Sequence, residues 1–473
     1  MAPSFGTSGL RGLVTELTPG LVTRYVHAFL AACPHGGRLY VGRDLRPSSP
    51  QIAGHVLAAA RGAGIEAVDC GEIGTPALAL AAMGAGAAAV MVTGSHIPAD
   101  RNGLKFYLPG GEISKADEAR IVAGYAAGAK PARDGGVGDR AGAPVRASGL
   151  AGAYVARYAA AFGPGALSGL AIGVYQHSSV AREAMMEICA ALGARPVALA
   201  RSEVFVPVDT EAVAAETRAA IRDWCAGLGL DAVISTDGDA DRPLLADAAG
   251  AVVPGDVLGV LTARALGARV ICTPVSSNAM VGRMPEFAEV RLTKIGSPFV
   301  IAAMEAVLAA DPAARVAGFE ANGGFLLGFT ADGGLLQGPL APLLTRDGIL
   351  PLVAPLAAAR AAGQTVAELV AALPPCFTAA DRVQEIDRDK AGAFLGRLIA
   401  EAPARAAFFA PSGEIDSIDL TDGLRVNLGS GAVVHLRPSG NAPEFRIYAQ
   451  AASPEAALAL TRAYVERVAA EVL

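Results

Sequence analysis

Leu170-Ala171-Ile172-Gly173-Val174, then His177-Ser178-Ser179, then Val180 to Leu192, then Gly193-Ala194 reads as strand, polar loop, helix and turn. The first apolar run suits a buried strand. The alanine-rich stretch beyond the serine pair suits a helix laid on it, and Gly-Ala leads into a second strand. That order is the βαβ unit, whose crossover demands a parallel or mixed sheet with helices outside. The same order stands on either side of it. Upstream, Leu39-Tyr40-Val41-Gly42 precedes Pro47-Ser48-Ser49, a helical stretch from Ile52 to Ala63, and Gly64-Ile65-Glu66-Ala67-Val68. Downstream, Val270-Ile271-Cys272 precedes Val275-Ser276-Ser277-Asn278, a further helical stretch, and Phe287-Ala288-Glu289-Val290. The recurrence predicts an α/β protein with three repeated α/β domains built on mixed sheets.

Past Leu373-Pro374-Pro375 the pattern changes. Asp416 to Leu428 and Ala432 to Ala449 alternate as half-buried strands. Ser453-Pro454-Glu455 then supplies an N-cap and a proline at the first helical position, opening a closing helix. A smaller C-terminal α+β domain is expected there. Gly124 to Pro144 reads as a surface connection and Asp247 to Gly250 as a turn. The expected domains are therefore 1–147, 148–250, 251–372 and 373–473.

With 473 residues, 52% hydrophobic and 18% charged, the chain has material for several packed cores, which excludes wholesale disorder. Lys and Arg number 39 against 45 Asp and Glu, a net charge of −6. Such a balance argues against nucleic acid or a membrane surface as partner, although a local basic pocket can hide inside it. Cys33, Cys70, Cys189, Cys225, Cys272 and Cys376 form no C-x-x-C pair, which fits buried thiols in a reducing compartment. The longest uncharged stretch, Ile73 to Ser95, is interrupted by Pro76, Gly84, Gly86 and Gly94 and has alanine as its commonest residue, so it does not read as a membrane span. Met1 to Thr7 shows neither a basic region nor an apolar one, and a cytoplasmic protein is expected.

Four loops carry the candidate chemistry. The sharpest is Asp237-Gly238-Asp239-Ala240-Asp241-Arg242, after the apolar run Ala232-Val233-Ile234-Ser235. Carboxylates at alternate positions beyond a strand end can turn toward one point, where they repel unless a cation joins them or one stays protonated. All-oxygen ligation by few groups suits Mg²⁺, which keeps positions open for phosphate oxygens. An EF-hand is excluded, since Arg242 stands where its glycine belongs and Ala248 where its closing glutamate belongs. Thr93-Gly94-Ser95-His96-Ile97-Pro98 follows the run Ala87 to Val92, with Lys105 ten residues beyond Ser95. Ser95 reads there as a nucleophile or as a plain turn residue, and the G-x-S-x-G elbow is absent. Arg437-Pro438-Ser439-Gly440-Asn441-Ala442-Pro443 lies between two strands and is either a phosphate cradle or an ordinary hairpin turn. Gly318-Phe319-Glu320-Ala321-Asn322-Gly323-Gly324 presents a carboxylate and an amide suited to sugar hydroxyls, and equally reads as a βα turn.

Taken together, Phe5-Gly6-Thr7-Ser8-Gly9-Leu10-Arg11-Gly12 and these four loops, in this order, resemble the α-D-phosphohexomutases over essentially the whole chain. The resemblance implies four domains around a central cleft. It implies an intramolecular phosphotransferase that interconverts hexose 1-phosphate and hexose 6-phosphate, with Mg²⁺ as cofactor and a hexose 1,6-bisphosphate as intermediate and activator. By the same resemblance Ser95 carries the phosphoryl group, and Asp237, Asp239 and Asp241 with Ser95 hold the metal. Glu320 and Asn322 meet the sugar, while Arg437, Ser439, Gly440 and Asn441 bind the non-reacting phosphate. Arg11, His96, Lys105, Arg242 and Lys294 surround the reacting phosphate or the substrate. Lys105, Arg11 and His96 are the groups for acid/base assistance, with Lys105 favoured if its pKa is depressed. Small sugar phosphates are the expected partners. The sequence departs from the family's habit at Ile97, commonly Asn, at Asn322, commonly Ser, at Gly324, where some relatives have His, and at Asn441-Ala442, often Thr-Glu. Three other readings stay open: a phosphoglucosamine mutase, whose relatives usually carry Ala in the place of Gly94; a Mg²⁺-dependent sugar phosphatase using Asp237; and a sugar-phosphate-binding scaffold without catalysis.

Overall fold

The computed structural model describes residues 3–6, 9–130, 144–438 and 444–473, and places them on four sheets. The first has Glu66–Glu72, Arg38–Arg43, Ala88–Val92 and Arg101–Leu108 side by side. The first three of these run parallel and the fourth is antiparallel. In the second sheet Arg195–Arg201, Ala171–His177, Ala232–Thr236 and Pro243–Asp247 repeat that order and those directions. In the third, Glu289–Thr293, Val270–Pro274, Val316–Phe319 and Phe325–Leu327 do so again. Each sheet therefore runs second, first, third, fourth in chain order, which is the threefold repeat. The fourth sheet is antiparallel throughout, in the order Phe377–Gln384, Glu444–Ala451, Val433–Pro438, Leu424–Leu428 and Ile415–Asp419.

Local sequence explains the crossovers. Helix Ser49–Gly62 begins with Pro50 in its first turn and is followed by Gly64 in the left-handed region, where glycine carries no Cβ penalty. The closing helix, Pro454–Val472, is capped by the Ser453 hydroxyl, which accepts from the Ala456 N–H at 3.2 Å. One large core runs through helix Thr75–Gly84 and the facing sides of the second and third sheets, with Phe162, Ile172, Phe319 and Leu352 buried in it. A separate core beneath the fourth sheet is built on Phe394, Phe409, Phe445 and Tyr464.

Three expectations are corrected. In the third repeat the first crossover, from Val270–Pro274 to Glu289–Thr293, has no full helix: Ala279–Arg283 is a single 3-10 turn, started by the Asn278 side chain, whereas Ser297–Ala310 makes the second crossover. Gly282 and Pro285 leave too few residues for a longer helix before strand Glu289–Thr293. The loop bearing Glu320 is a strand-to-strand turn, not a βα turn, because Phe325 pairs antiparallel with Phe319. The connection expected from Gly124 starts later, since helix Lys115–Ala127 continues to a left-handed cap at Gly128. Strand Phe377–Gln384 and helices Arg388–Ala400 and Ala402–Phe409 were not foreseen. All six cysteines are free thiols. Among the described residues no helix is long and apolar enough to cross a membrane.

Candidate active site

The first three functional loops occupy the same place in each repeat, the turn from the third strand to the fourth. Ser95 lies between Ala88–Val92 and Arg101–Leu108, the Asp triad between Ala232–Thr236 and Pro243–Asp247, and Glu320 between Val316–Phe319 and Phe325–Leu327. Arg437 lies at the end of Val433–Pro438, which pairs with Glu444–Ala451 in the fourth sheet, while Ser439, Gly440 and Asn441 lie outside the described residues. Thr7 and Ser8 lie outside them too.

Ser95 sits in the left-handed region at φ 55°, a conformation a non-glycine residue holds only when its surroundings enforce it. The enforcement comes from Arg46, 1% exposed, which no sequence signal had singled out. Its guanidinium donates to the carbonyls of Ser95 at 2.8 Å, Ile97 at 2.5 Å, Pro98 at 2.7 Å and Arg101 at 2.9 Å. Asp44 holds it from the other side at 3.1 Å and accepts from the Thr93 hydroxyl at 2.7 Å. Thr93 Oγ1 accepts in turn from the Ser95 N–H at 2.7 Å. A Cβ on Gly94 would lie 2.5 Å from the Arg46 guanidinium carbon, so a larger residue there would have to displace that guanidinium. The Ser95 hydroxyl donates to Asp237 Oδ2 in a short contact, and His96 Nδ1 is 3.3 Å from Ser95 Oγ.

The three aspartates are wholly buried, and their ligand oxygens lie within 4.8 Å of one another. Burial, then Asp239 and Asp241, raises the Asp237 carboxyl to about 8. For Asp241 burial acts upward too, but Arg346, Lys105 and Arg242 outweigh it and hold the carboxyl well below the usual carboxylate range. The Lys105 ammonium is buried between Asp239 Oδ2 at 2.6 Å and Asp241 Oδ2 at 2.5 Å. Thr75 adds its hydroxyl to Asp239 Oδ2 at 2.5 Å. Asp239 Oδ1 and Asp241 Oδ1 are buried without a hydrogen-bond partner among the described residues, although Arg242 Nε lies 3.8 Å from Asp241 Oδ1. Orphaned hard oxygens that close together fit a small divalent cation.

Around this centre Arg242 Nη1 lies 3.1 Å from His96 Nδ1, and Arg11 donates to the Gly94 carbonyl at 2.6 Å. Burial, reinforced by Arg242, presses His96 to about 3, so its ring is neutral. Burial likewise draws the Arg11 guanidinium down to about 10. Glu320 is buried and bonded to Arg346, whereas Asn322 Oδ1 accepts from the Gly324 N–H at 3.0 Å and shapes the turn. Arg437 and the backbone next to Lys294 are tied together elsewhere. Asp422 joins them, accepting from Arg437 Nε at 2.9 Å and from the Ile295 N–H, next to Lys294, at 2.9 Å. Arg46, Asp422 and Arg346 escaped sequence reading because none belongs to a recognisable motif and each lies in an otherwise ordinary strand or loop.

Residues 2–132 match the model described as phosphoglucomutase/phosphomannomutase, alpha/beta/alpha domain I, and residues 254–377 match domain III of the same family. The chain is 43% identical over 463 residues to a phosphomannomutase of Sinorhizobium fredii, covering 97% of each protein. The chain belongs to the α-D-phosphohexomutase family. A second relative of this phosphohexomutase, a phosphomannomutase of Salmonella muenchen, is 40% identical over 96% of the chain and 92% of the relative. A crystal structure of a phosphoglucomutase/phosphomannomutase family protein from Burkholderia thailandensis superposes with a TM-score of 0.72 at 21% identity, covering 98% and 96% of the two chains. The phosphohexomutase fold is thus shared far beyond close sequence similarity.

Proposed function

We propose that this phosphohexomutase is a phosphomannomutase/phosphoglucomutase that moves a phosphoryl group between O1 and O6 of a hexose. The observation that carries the reading is the Ser95 hydroxyl, held in a strained turn against Asp237 at the edge of a buried aspartate triad. In the first half-reaction the P–O bond to Ser95 Oγ breaks as a P–O bond forms to the free sugar hydroxyl. The sugar hydroxyl proton passes to a nearby base and the departing Ser95 Oγ takes up a proton from a nearby acid, leaving the Ser95 hydroxyl and a hexose 1,6-bisphosphate. The bisphosphate turns end for end, and its other phosphate returns to Ser95. Arg11 and Lys105 are the groups proposed for proton transfer. Neutral His96 accepts from Arg242, which keeps that guanidinium over the reacting phosphate.

Asp237, Asp239, Asp241 and Ser95 would hold Mg²⁺, which supplies charge neutralisation for the equatorial phosphoryl oxygens. Arg437, with Ser439, Gly440 and Asn441, is the proposed grip on the non-reacting phosphate. Lys294 is assigned to the substrate, and the four sheets are read as four domains with the boundaries given above, except that strand Val252–Val253 of the second sheet lies beyond residue 250. Glu320 and Asn322 are assigned to the sugar hydroxyls.

Assigning Glu320 and Asn322 to O3 and O4 leaves C2 unread, so glucose and mannose phosphates should both turn over. A coupled assay with glucose 1-phosphate, mannose 1-phosphate and glucosamine 1-phosphate, primed with hexose 1,6-bisphosphate, tests this. The first two should agree in kcat/KM to within about a hundredfold, equivalent to about 2.7 kcal/mol. Preference for glucosamine 1-phosphate would move the assignment to a phosphoglucosamine mutase.

A further inference from the structure

Arg346 stands on strand Leu343–Asp347, the last strand of the third sheet and outside every recognised loop. It is 3% exposed, yet its guanidinium meets carboxylates belonging to three sheets. Nη2 is 2.8 Å from Asp241 Oδ2 in the metal loop, and Nη1 is 3.2 Å from Glu320 Oε2 in the sugar loop. Nε is 3.7 Å from Glu112 Oε1 on the short strand Gly111–Glu112. Glu112 is itself anchored, accepting from Ser297 Oγ at 2.8 Å and Thr345 Oγ1 at 3.0 Å.

The sugar loop is built around this side chain. A Cβ on Gly324 would stand 2.9 Å from Arg346 Cδ and 2.9 Å from the Asp241 carbonyl oxygen, so the turn reaches the arginine stem only because position 324 is bare. Gly348, two residues beyond Arg346, donates its N–H to the Ala240 carbonyl at 3.2 Å and binds the same strand end to the metal loop.

Resting on the mutase reading above, we infer that Arg346 is a positioning residue that fixes the sugar-binding carboxylate Glu320 relative to the metal ligand Asp241. With Lys105 it occupies Asp241 Oδ2, which leaves Oδ1, without a hydrogen bond among the described residues and 3.8 Å from Arg242 Nε, as the oxygen available to a cation. A planar fork sets two carboxylates at a defined separation, whereas an ammonium supplies charge without that geometry.

The test compares Arg346→Lys and Arg346→Gln with wild-type protein. Calorimetry measures MgCl₂ binding to the metal-stripped protein and glucose 1-phosphate binding to the magnesium-loaded protein, and turnover is measured in parallel. Both variants should weaken each ligand by about tenfold, the usual cost of losing a group that orients a metal ligand. Loss of mere charge would give the opposite pattern: Arg346→Gln would bind magnesium more tightly and Arg346→Lys would match wild type, and either result overturns the inference. Should Arg346→Gln not fold, Arg346→Lys alone decides between fork and charge. Failure of the mutase reading would appear separately, as wild-type protein that binds both ligands without turnover.

Discussion

Asp237 is the residue on which the site's electrostatics turn. Burial and two neighbouring carboxylates raise its pKa to about 8, against about 3.9 in an unfolded chain. For a carboxyl raised on folding, the stabilising contribution is complete below the unfolded value and is lost as pH climbs through the folded one. Metal-stripped protein should therefore lose stability between about pH 4 and pH 8. Asp237→Asn should flatten that slope, and saturating magnesium should flatten it in the wild type by favouring the charged carboxylate. Thermal melts at both pH values, with and without magnesium, check this; equal slopes in wild type and variant would refute it. The charged members of the site were legible in sequence because a triad of aspartates beyond an apolar run is hard to explain without a cation. Arg46, Asp422 and Arg346 were not, since a single arginine or aspartate looks the same in sequence whether it is solvated or buried in a ring of acceptors.

At the level of elements, the serine pairs that betrayed the repeat turn out to buttress the functional turns. Ser49 Oγ donates to Asp44, which holds Thr93, two residues before Ser95. Ser179 Oγ is 2.6 Å from Thr236 Oγ1, directly before Asp237. Ser277 Oγ is 2.7 Å from Thr273 Oγ1, itself 2.9 Å from the Phe319 carbonyl, directly before Glu320. In the first repeat Arg46 carries the largest share of this bracing. Arg46→Met would leave Asp44 buried and unpaired beneath four unserved carbonyls, and should cost about 3–5 kcal/mol of stability with Ser95 turnover falling further than the melt alone explains. Chemical denaturation beside steady-state kinetics measures both. A loss under about 1 kcal/mol would mean that water replaces the guanidinium. The βαβ pattern was legible in the first two repeats because apolar runs and an alanine-rich stretch have distinct periods. It misled in the third, where only a 3-10 turn fits between Asn278 and Pro285. The turns between third and fourth strands were invisible as a class, because sequence shows neither strand order nor direction.

Across the whole molecule, the first three sheets are joined by one core and by buried polar ties. Tyr154, on helix Leu150–Phe162, donates to Asp347 Oδ1 of the third sheet at 2.6 Å, and Tyr158 donates to Oδ2. The C-terminal sheet has its own core, and Gln450 clamps it to the third repeat. Its amide donates to the Ser277 carbonyl at 3.0 Å and accepts from the Ala279 N–H at 2.9 Å. Asn278 adds a bond to the Cys376 carbonyl at 2.8 Å. Gln450→Leu leaves two buried backbone groups unserved and should cost about 2–5 kcal/mol. Amide exchange should quicken at 275–281 and 444–451 while the first sheet stays protected; uniform exchange would contradict a local clamp.

The mutase account depends on one oxygen carrying phosphate between the ends of a sugar. After incubation with glucose 1,6-bisphosphate, peptide mapping by mass spectrometry should find a single phosphate on Ser95, and Ser95→Ala should lose both the phosphate and turnover. A phosphate on Asp237, or turnover undiminished in Ser95→Ala, would contradict it.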